Sequence, residues 1–345
     1  MAPARRVPRM KVAVIGVGYW GPNLVRNLLQ IDACEQVVAH DLDESRLKGI
    51  IRHYPTTAIA HDLDQVLSDP AIGAVVVATP VKTHAEIAMR ALEAGKSVLV
   101  EKPLAISSSE ARALVDLARS RRLLVMAGHT FLFSPPVQRV KRLIEAGELG
   151  TPLYVQSSRV NLGIHRSDVN VVWDLAPHDL SILWSWLGEH PRSVSAIGRS
   201  QNGAPADVAF LDLSYPSGCL ANLHLSWLAP TKVRRMTIVG SRRMVVYEDT
   251  NAEEPLRIYD SGAEPPNPDD LSAPGGGFTW TYRTGDVVSP RIDSWEPLKA
   301  ELEEFLARAG RGETPDEREE AAVQLVRVIE AAEESMRGGG APVSL

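Results

Sequence analysis

The stretch Lys11–Pro22, with the sequence KVAVIGVGYWGP, decides the fold of this chain. Its apolar run Val12–Ile15 predicts a buried strand, and an amphipathic helical pattern follows directly. Between them, Gly16, Gly18 and Gly21 have the G-x-G-x-x-G spacing. The first glycine allows a tight turn, the second lets the backbone approach a pyrophosphate, and the third lets helix and strand pack closely. Strand, glycine turn and helix together predict a dinucleotide-binding unit.

The next predicted strand ends at an aspartate with the spacing that such a unit requires. Residues 35–41 (EQVVAHD) have the pattern of a strand, and Asp41 lies 20 residues after Gly21. A carboxylate at this point accepts hydrogen bonds from ribose hydroxyls and repels a 2′-phosphate. The alternative is that Asp41 caps the helix that begins near Asp43. We favour the ribose role, which makes NAD the preferred cofactor over NADP, although Arg46 nearby leaves NADP open.

Composition places the chain among ordinary globular proteins. Its 345 residues are enough for two domains, and 44% of them are hydrophobic. The net charge of −6 argues against a nucleic-acid binder. Cys34 and Cys219 are far apart and predict neither a disulfide framework nor a metal site, which fits a cytoplasmic protein. The basic N-terminal segment is followed by the glycine turn, and no apolar run approaches membrane-spanning length, so we expect neither a signal peptide nor a membrane protein.

Alternating strands and helices in the first part of the chain predict an α/β domain. Residues 1–130 are expected to form a doubly wound parallel sheet, with ligands bound beyond the carboxyl ends of the strands. The clearest helices are predicted at Thr83–Ala94 and Ser108–Arg119. The predicted strands are Val12–Ile15, Gln36–His40, Ala58–Ile59, Ala74–Ala78, Ser97–Val100 and Leu123–Ala127.

Residues 131–345 contain mainly strand patterns joined by turns, and they predict an α+β domain built on a large, mostly antiparallel sheet. One helix is expected at Trp173–Leu187, and residues 261–278 are expected to form a surface loop. Leu223 and Leu225 alternate with polar residues, which predicts a sheet with one apolar and one polar face. Two amphipathic helices are predicted near 294–309 and 315–336. Strands are predicted at 151–162, 192–200, 206–214, 219–228, 233–239 and 243–248.

Two predicted loops of the first domain carry residues suited to a nicotinamide site. Thr79 and Pro80 follow a strand, and His84 lies four residues beyond Pro80. Glu101 and Lys102 follow the strand that ends at Val100. Because the carboxyl ends of parallel strands lie at one edge of the sheet, we expect both loops to face the same ligand.

A third segment, Trp173–Asp179, opens the predicted helix of the second domain and is expected to meet the same ligand. Asp174 and His178 are four residues apart, which places both on one helix face. Hydride transfer at a hydroxyl carbon needs a proton acceptor and a group that stabilises alkoxide character. His178 suits the first role, Lys102 the second, and Asp174 suits holding both in place. Taken singly, they could be a core histidine, a surface lysine and a helix cap; beside a dinucleotide fingerprint, the catalytic interpretation is favoured.

Four motifs together resemble the Gfo/Idh/MocA family of oxidoreductases: Gly16-x-Gly18-x-x-Gly21, Ala78-Thr-Pro80, Glu101-Lys102-Pro103 and Asp174-x-x-x-His178. The resemblance covers essentially the whole chain. It implies that Lys102, Asp174 and His178 are catalytic, and that hydride passes between NAD(P) and sugars, inositols or nucleotide sugars. It also implies an open-faced sheet, C-terminal helices (about 294–336) that return to pack on the first domain, and homodimers or homotetramers formed through the open sheet.

Within the family, residues 18–23 and 167–179 resemble a subgroup that acts on nucleotide sugars. The favoured function is therefore oxidation or reduction at a secondary hydroxyl of a nucleotide-linked hexose, at C3. Inositol or free-sugar dehydrogenation is the enzymatic alternative, and a catalytically silent dinucleotide-binding regulator is the alternative of another class. The expected cofactor contacts are Gly16, Gly18, Tyr19, Trp20, Gly21, Asp41, Thr79, Pro80, His84, Glu101 and Lys102. The expected substrate contacts are Lys102, His129, Arg159, Asn161, Asp174 and His178, and no metal is expected.

Two segments depart from the family pattern. His129 lies in a Gly-His-Thr-Phe-Leu-Phe segment where many members carry an asparagine- and arginine-containing motif. Ser181 and Ile182 occupy places where many members have an acidic residue, and Asp179 is acidic instead. These departures concern substrate contacts more than hydride chemistry. A diphosphate could be held by Arg159 and Asn161 together with His165 and Arg166, or these residues could pair on the surface.

Overall fold

The computed structural model describes residues 8–163, 169–201, 203, 205–264 and 280–345. These residues divide into two compact units. The first contains residues 8–134 and 295–330, and the second contains the described residues of 135–294 together with 331–345. Most of the loop predicted at 261–278 lies outside the described residues, and its beginning forms a short strand instead of a loop.

The first unit contains the predicted doubly wound sheet. Its six strands are all parallel and lie in the order β3-β2-β1-β4-β5-β6. The order reverses between β1 and β4, and this switch point is where such sheets bind ligands. The strands are β1 Met10–Ile15, β2 Cys34–His40, β3 Ala58–Ile59, β4 Ile72–Val77, β5 Ser97–Glu101 and β6 Val125–Gly128. The predicted α/β fold is confirmed.

The second unit is built on a sheet that has nine strands within the described residues, in the order β16-β13-β12-β11-β7-β10-β9-β8-β17. All neighbours are antiparallel except β7 and β10. The mostly antiparallel sheet is therefore confirmed. The strands are β7 Pro152–Leu162, β8 Ser193–Arg199, β9 Val208–Ser214, β10 Leu220–Ser226, β11 Leu228–Gly240, β12 Met244–Glu248, β13 Leu256–Tyr259, β14 Gly262–Glu264, β15 Thr281–Arg283, β16 Val287–Val288 and β17 Val343–Ser344; β14 and β15 form a separate pair.

Helix ends follow from local side-chain chemistry. The Ser107 hydroxyl accepts the backbone N–H of Glu110, and the Asn170 side chain accepts those of Val172 and Trp173. The second cap starts its helix two residues earlier than predicted. The helices are α1 Gly21–Leu28, α2 Glu44–His53, α3 Leu63–Ser68, α4 His84–Glu93, α5 Ser108–Arg121, α6 Pro135–Glu145, α7 Val171–Leu187, α8 Pro297–Gly310 and α9 Glu317–Arg337, with short 3₁₀ helices at Val81–Thr83 and Thr130–Phe133.

The large sheet has the predicted alternation on β10, where Leu223 and Leu225 are buried while His224 is partly exposed. We expected one helix against this sheet, but among the described residues α6, α7 and the end of α9 all contact it; on α9, the Ser335 hydroxyl oxygen accepts the backbone N–H of Ala196 of β8 at 2.8 Å. Helix α7 contacts β7, β9 and β10, and α6, which we did not predict, contacts α7 and β12. The indole N–H of Trp186 on α7 donates to the carbonyl of Val137 on α6 at 3.0 Å.

Helix α8 completes the core of the first unit. Its residues Leu298, Leu302, Phe305 and Leu306 belong to the same buried cluster as Val12 and Val14 of β1, and Leu24 of α1. A helix late in the chain thus covers one face of the first sheet. Within the part of the chain that the structure describes, no helix is both long and apolar enough to cross a membrane.

Candidate active site

The glycine turn after β1 has the backbone that a pyrophosphate cradle needs. Gly16 has φ of +91°, and a Cβ there would lie 2.8 Å from the backbone of Ala78 and Thr79. A Cβ on Gly21 would lie 2.5 Å from the Gly16 carbonyl oxygen. Both positions therefore require glycine. No side chain caps the start of α1; Pro22 has no N–H, and the N–H of Asn23 donates to the Trp20 carbonyl at 3.0 Å. The residues present fit a dinucleotide.

Asp41, at the end of β2, is tied to the glycine turn. Its Oδ2 accepts the backbone N–H of Val17 at 2.8 Å, and its Oδ1 accepts that of Asp43 at 2.9 Å. The N-cap of α2 is Asp43, whose side chain accepts from Ser45, so the alternative of Asp41 as the helix cap was wrong. The Asp41 side chain is 7% exposed, and an Arg46 guanidinium nitrogen lies 3.4 Å from Oδ2.

The tip of the turn presents two aromatic side chains. Tyr19 is 88% exposed and Trp20 is 38% exposed. The indole of Trp20 also makes a hydrogen bond to the Glu101 carboxylate at the end of β5. The turn and the β5 end are therefore connected through side chains of the first unit. Direct contact of Tyr19 or Trp20 with the cofactor stays a prediction.

His84 joins the two loops that follow β4 and β5. Its Nε2 lies 2.8 Å from the Thr79 carbonyl oxygen and its Nδ1 lies 2.9 Å from that of Pro103. The residue is 1% exposed, and these contacts fix loop backbone. Pro80, between the two loops, is exposed. The roles of Thr79, Pro80 and His84 in cofactor binding stay predictions.

Ionisable groups gather at the ends of β5 and β6. Glu101 accepts the backbone N–H of Lys102 at 3.3 Å. Glu101 as a residue is partly exposed, but its Oε1 is buried, and burial raises the pKa of this carboxyl to about 7 against the opposing effect of the Lys102 charge. His129, just after β6, is buried, and burial together with Lys102 lowers its pKa to about 4. Lys102 therefore lies in a site where the histidine stays neutral.

The lowered pKa of His129 predicts a pH dependence of stability. Between about pH 4 and 6.5 the unfolded chain binds a proton at this histidine that the folded protein does not. The stabilising contribution is complete above pH 6.5 and is lost as the pH falls towards 4. Acidification should therefore reduce the free energy of unfolding of the parent. In His129→Gln, that reduction should be smaller by about 2–3 kcal/mol. Urea unfolding at neutral and acidic pH tests this, with exposed His53→Gln as the control; an equal loss in parent and variant would contradict it.

In the second unit, α7 presents Asp174 and His178 one turn apart. Both are partly exposed, whereas Ala176 and Pro177 between them are buried. The buried indole of Trp227 donates to Asp174 Oδ2 at 3.1 Å. That hydrogen bond fixes the carboxylate, and the sequence had not indicated it. That Lys102, Asp174 and His178 act on one substrate stays a prediction.

Arg159 on β7 is engaged in a buried ion pair. Its Nε and one terminal nitrogen lie 2.8 and 2.7 Å from Asp179 Oδ1, and the Ser157 hydroxyl donates to Asp179 Oδ2 at 3.0 Å. Arg159 is 4% and Asp179 1% exposed. Asn161 on the same strand is partly exposed. The substrate contacts of Arg159 and Asn161 stay predictions, and His165 and Arg166 lie outside the described residues.

Comparison with known proteins decides the family. Residues 10–129 match the model of the oxidoreductase family with an NAD-binding Rossmann fold, and residues 137–246 match the GFO/IDH/MocA C-terminal domain. The chain is 31% identical over 255 residues to a UDP-N-acetylglucosamine 3-dehydrogenase of Acidithiobacillus ferrooxidans, covering 74% of this chain and 78% of that protein. The chain belongs to the Gfo/Idh/MocA family. As a member, it is an NAD(P)-dependent dehydrogenase that acts on CH–OH groups.

Two further similarities describe its place in the family. The chain is 28% identical to a scyllo-inositol 2-dehydrogenase (NAD(+)) of Bacillus subtilis, covering 64% of this chain and 68% of that protein. The solved structure of a UDP-N-acetylglucosamine 3-dehydrogenase from A. ferrooxidans superimposes with a TM-score of 0.75 at 26% identity, covering 95% of this chain and 99% of that one. These two relatives are dehydrogenases of a nucleotide sugar and of an inositol, and this enzyme is an NAD(P)-dependent dehydrogenase of the sugar and polyol class.

Proposed function

We propose that this enzyme transfers a hydride between NAD(H) and the C3 hydroxyl or ketone of a nucleotide-linked hexose. The observation that supports this substrate best is the 31% identity to a UDP-N-acetylglucosamine 3-dehydrogenase, compared with 28% to the scyllo-inositol 2-dehydrogenase described above. When bound, NAD would supply the hydride acceptor. The residues around Gly16–Gly21 and Asp41 would hold its pyrophosphate and adenosine ribose.

The roles of three side chains follow from hydride chemistry. His178 accepts the proton of the substrate hydroxyl. Lys102 stabilises alkoxide character on the same oxygen. Asp174, held by the Trp227 indole, lies on the His178 face of α7 and orients the imidazole.

The second candidate is a dehydrogenase of inositol or a free sugar, which the similarity to a scyllo-inositol 2-dehydrogenase favours. Mass spectrometry of dinucleotide that co-purifies with the protein, followed by a screen of nucleotide sugars, inositols and free sugars for NADH absorbance, separates the two. Turnover of inositols with no turnover of nucleotide sugars would decide for the second candidate. Bound dinucleotide with no turnover of any substrate would favour a silent regulator.

The position of Asp41 predicts a preference for NAD(H) over NADP(H). Its carboxylate repels a 2′-phosphate, whereas Arg46 beside it attracts one. Asp41→Ala should therefore narrow the difference in affinity between the two cofactors, measured by calorimetry. Asp43→Asn is the matched control, because it removes a neighbouring charge and keeps the cap of α2. Equal or tighter NADP(H) binding by the parent would contradict the proposal.

We also propose a homodimer or homotetramer packed through the open face of the nine-stranded sheet. That face exposes large apolar side chains at Tyr154, Ile197, Phe210 and Leu220, which are 46–64% exposed. Light scattering at micromolar concentration should give a dimeric or tetrameric mass, and Ile197→Asp should lower it. A monomeric mass for the parent would refute the assembly.

A cytoplasmic location is the third part of the proposal. Cys34 and Cys219 are buried free thiols, one in each unit, and burial raises the pKa of each to about 11. Such inert thiols suit a reducing compartment.

A further inference from the structure

One acidic side chain of the first unit is buried without a positive partner among the described residues. Glu301, on α8, is fully buried. The Thr130 hydroxyl donates to its Oε2 at 2.7 Å, while its Oε1 is buried and has no hydrogen-bond partner in the described part of the chain. An ionised carboxylate in such surroundings is costly unless it is paired. The geometry therefore favours the protonated form.

A second carboxyl group lies at the end of β5, the strand next to β6, and Thr130 lies just after β6. Glu101 follows β5, and its Oε1 is likewise buried without a partner among the described residues. Burial raises the pKa of Glu301 well above the ordinary value, and the negative charge of Glu101 raises it further. The two side chains, which we call the acid pair, ionise one after the other, because two buried carboxylates in one site repel each other.

The acid pair has room because of a glycine. In the sheet register Glu101 lies opposite Gly128 of β6, and a Cβ on Gly128 would lie 3.2 Å from Glu101 Cα and 3.4 Å from its carboxyl carbon. His129, the next residue, has both ring nitrogens buried without a partner in the described ranges. Because that ring is neutral at neutral pH, it brings no charge to the acid pair.

Most other charged side chains near α8 form ion pairs with residues other than Glu301. The ionisable residues on neighbouring elements are Arg26 on α1, Glu101 and Lys102 at the end of β5, His129 after β6, and Arg318 and Glu319 on α9. Three of these pair with other acids or bases: Arg26 with Glu296, Arg318 with Glu304, and Glu319 with Arg308. Lys102 is the cation that acts on Glu101, and Glu101 is the anion that acts on Glu301.

We propose that Glu301 is a positioning residue: it stays protonated beside Glu101, so that the acid pair carries a single negative charge, and this charge holds the ammonium group of Lys102. The arrangement places one negative charge beside Lys102 and leaves His129 neutral. A second negative charge on Glu301 would compete for the lysine. The inference rests on the proposed function only for the role of Lys102 at the substrate.

The first test reads the proton directly and needs no activity. At about pH 8, where Glu101 is largely ionised, the infrared spectrum of the parent should retain the carbonyl band of a protonated carboxyl group. Glu301→Gln should remove intensity from that band, and Glu101→Gln should diminish it as Glu301 ionises in its place. The matched control is Glu303→Gln, an exposed acid on the same helix, which should leave the band unchanged. No band in the parent, or a band unaffected by Glu301→Gln, would overturn the proposal.

The second test asks whether the pair acts through Lys102. Glu101→Gln should lower kcat at neutral pH by tenfold or more, with partial recovery as rising pH ionises Glu301. The double variant Glu101→Gln/Glu301→Gln should show no such recovery, whereas a merely structural Glu301 would give both variants the same pH profile and would exclude the positioning role. Glu303→Gln should match the parent. A parent without turnover refutes the proposed function and leaves the infrared test to decide the acid pair.

Discussion

Replacing Lys102 with alanine is expected to lower kcat by about two to four orders of magnitude, at least as much as replacing His178. In the proposed mechanism the ammonium group stabilises negative charge on the substrate oxygen as the hydride leaves, and its removal also takes a positive charge away from the neighbouring Glu101 carboxylate. Initial rates from NADH absorbance measure the loss. Dinucleotide affinity, measured by calorimetry, should change little, because we propose that the pyrophosphate and adenosine bind near Gly16–Gly21 and Asp41.

The control for this change is Lys82→Ala, which removes an exposed lysine from the neighbouring loop. It should retain the parent kcat. Near-parent turnover in Lys102→Ala would exclude alkoxide stabilisation by this residue. Loss of dinucleotide affinity in parallel with kcat would instead assign Lys102 to cofactor binding.

His178→Ala is expected to lower turnover by roughly two to four orders of magnitude, the usual contribution of a positioned acid–base group. In the oxidative direction, the parent rate should fall at low pH, because a protonated imidazole cannot accept the hydroxyl proton. The pH dependence of kcat measures this, and exposed His53→Ala is the control. A flat rate from about pH 5 to 9 would remove His178 from the mechanism and leave water or Lys102 as the base.

The same two variants separate an enzyme from a silent regulator. A regulator that binds dinucleotide has no turnover in the parent, so both substitutions would leave its kinetics unchanged. A parent that turns over, with two severely impaired variants that still bind dinucleotide, supports the assignment of Lys102 and His178 to the chemistry.

The sequence predicted most of the first unit because its signals are local. The apolar strands and the glycine spacing each lie within a few residues, and they give the six parallel strands directly. The sequence left open whether Asp41 caps the helix that begins near Asp43, since aspartates often cap helices. The structure decides it by hydrogen bonds: Asp43 accepts from Ser45, and Asp41 accepts from Val17.

Features that depend on distant residues escaped prediction. The Trp227–Asp174 hydrogen bond and the Arg159–Asp179 ion pair join residues whose separation in sequence carries no signal. Glu301 was also missed, although a local sign existed. It lies between Leu298 and Leu302, on the face of α8 that the helical period assigns to the core, where an acid is exceptional.

Helix α6 was missed for a different reason. It begins with two consecutive prolines, Pro135 and Pro136, which usually indicate a break in structure. Proline is also favoured in the first turn of a helix, because the N–H that it lacks has no helical partner there. The residues after them, with buried Val137, Val140 and Leu143, show that these prolines begin a helix rather than break one.

The late position of α8 in the chain imposes an order on biosynthesis. When the ribosome has completed β6, all six parallel strands exist, yet the apolar side chains that α8 will cover have no partner. Residues 135–294 must be translated first, which takes roughly 10 to 30 seconds at ordinary elongation rates. During that interval the nascent sheet exposes an apolar face and is a natural client for chaperones. A polypeptide ending before Trp295 should therefore aggregate rather than accumulate as an independent nucleotide-binding fragment.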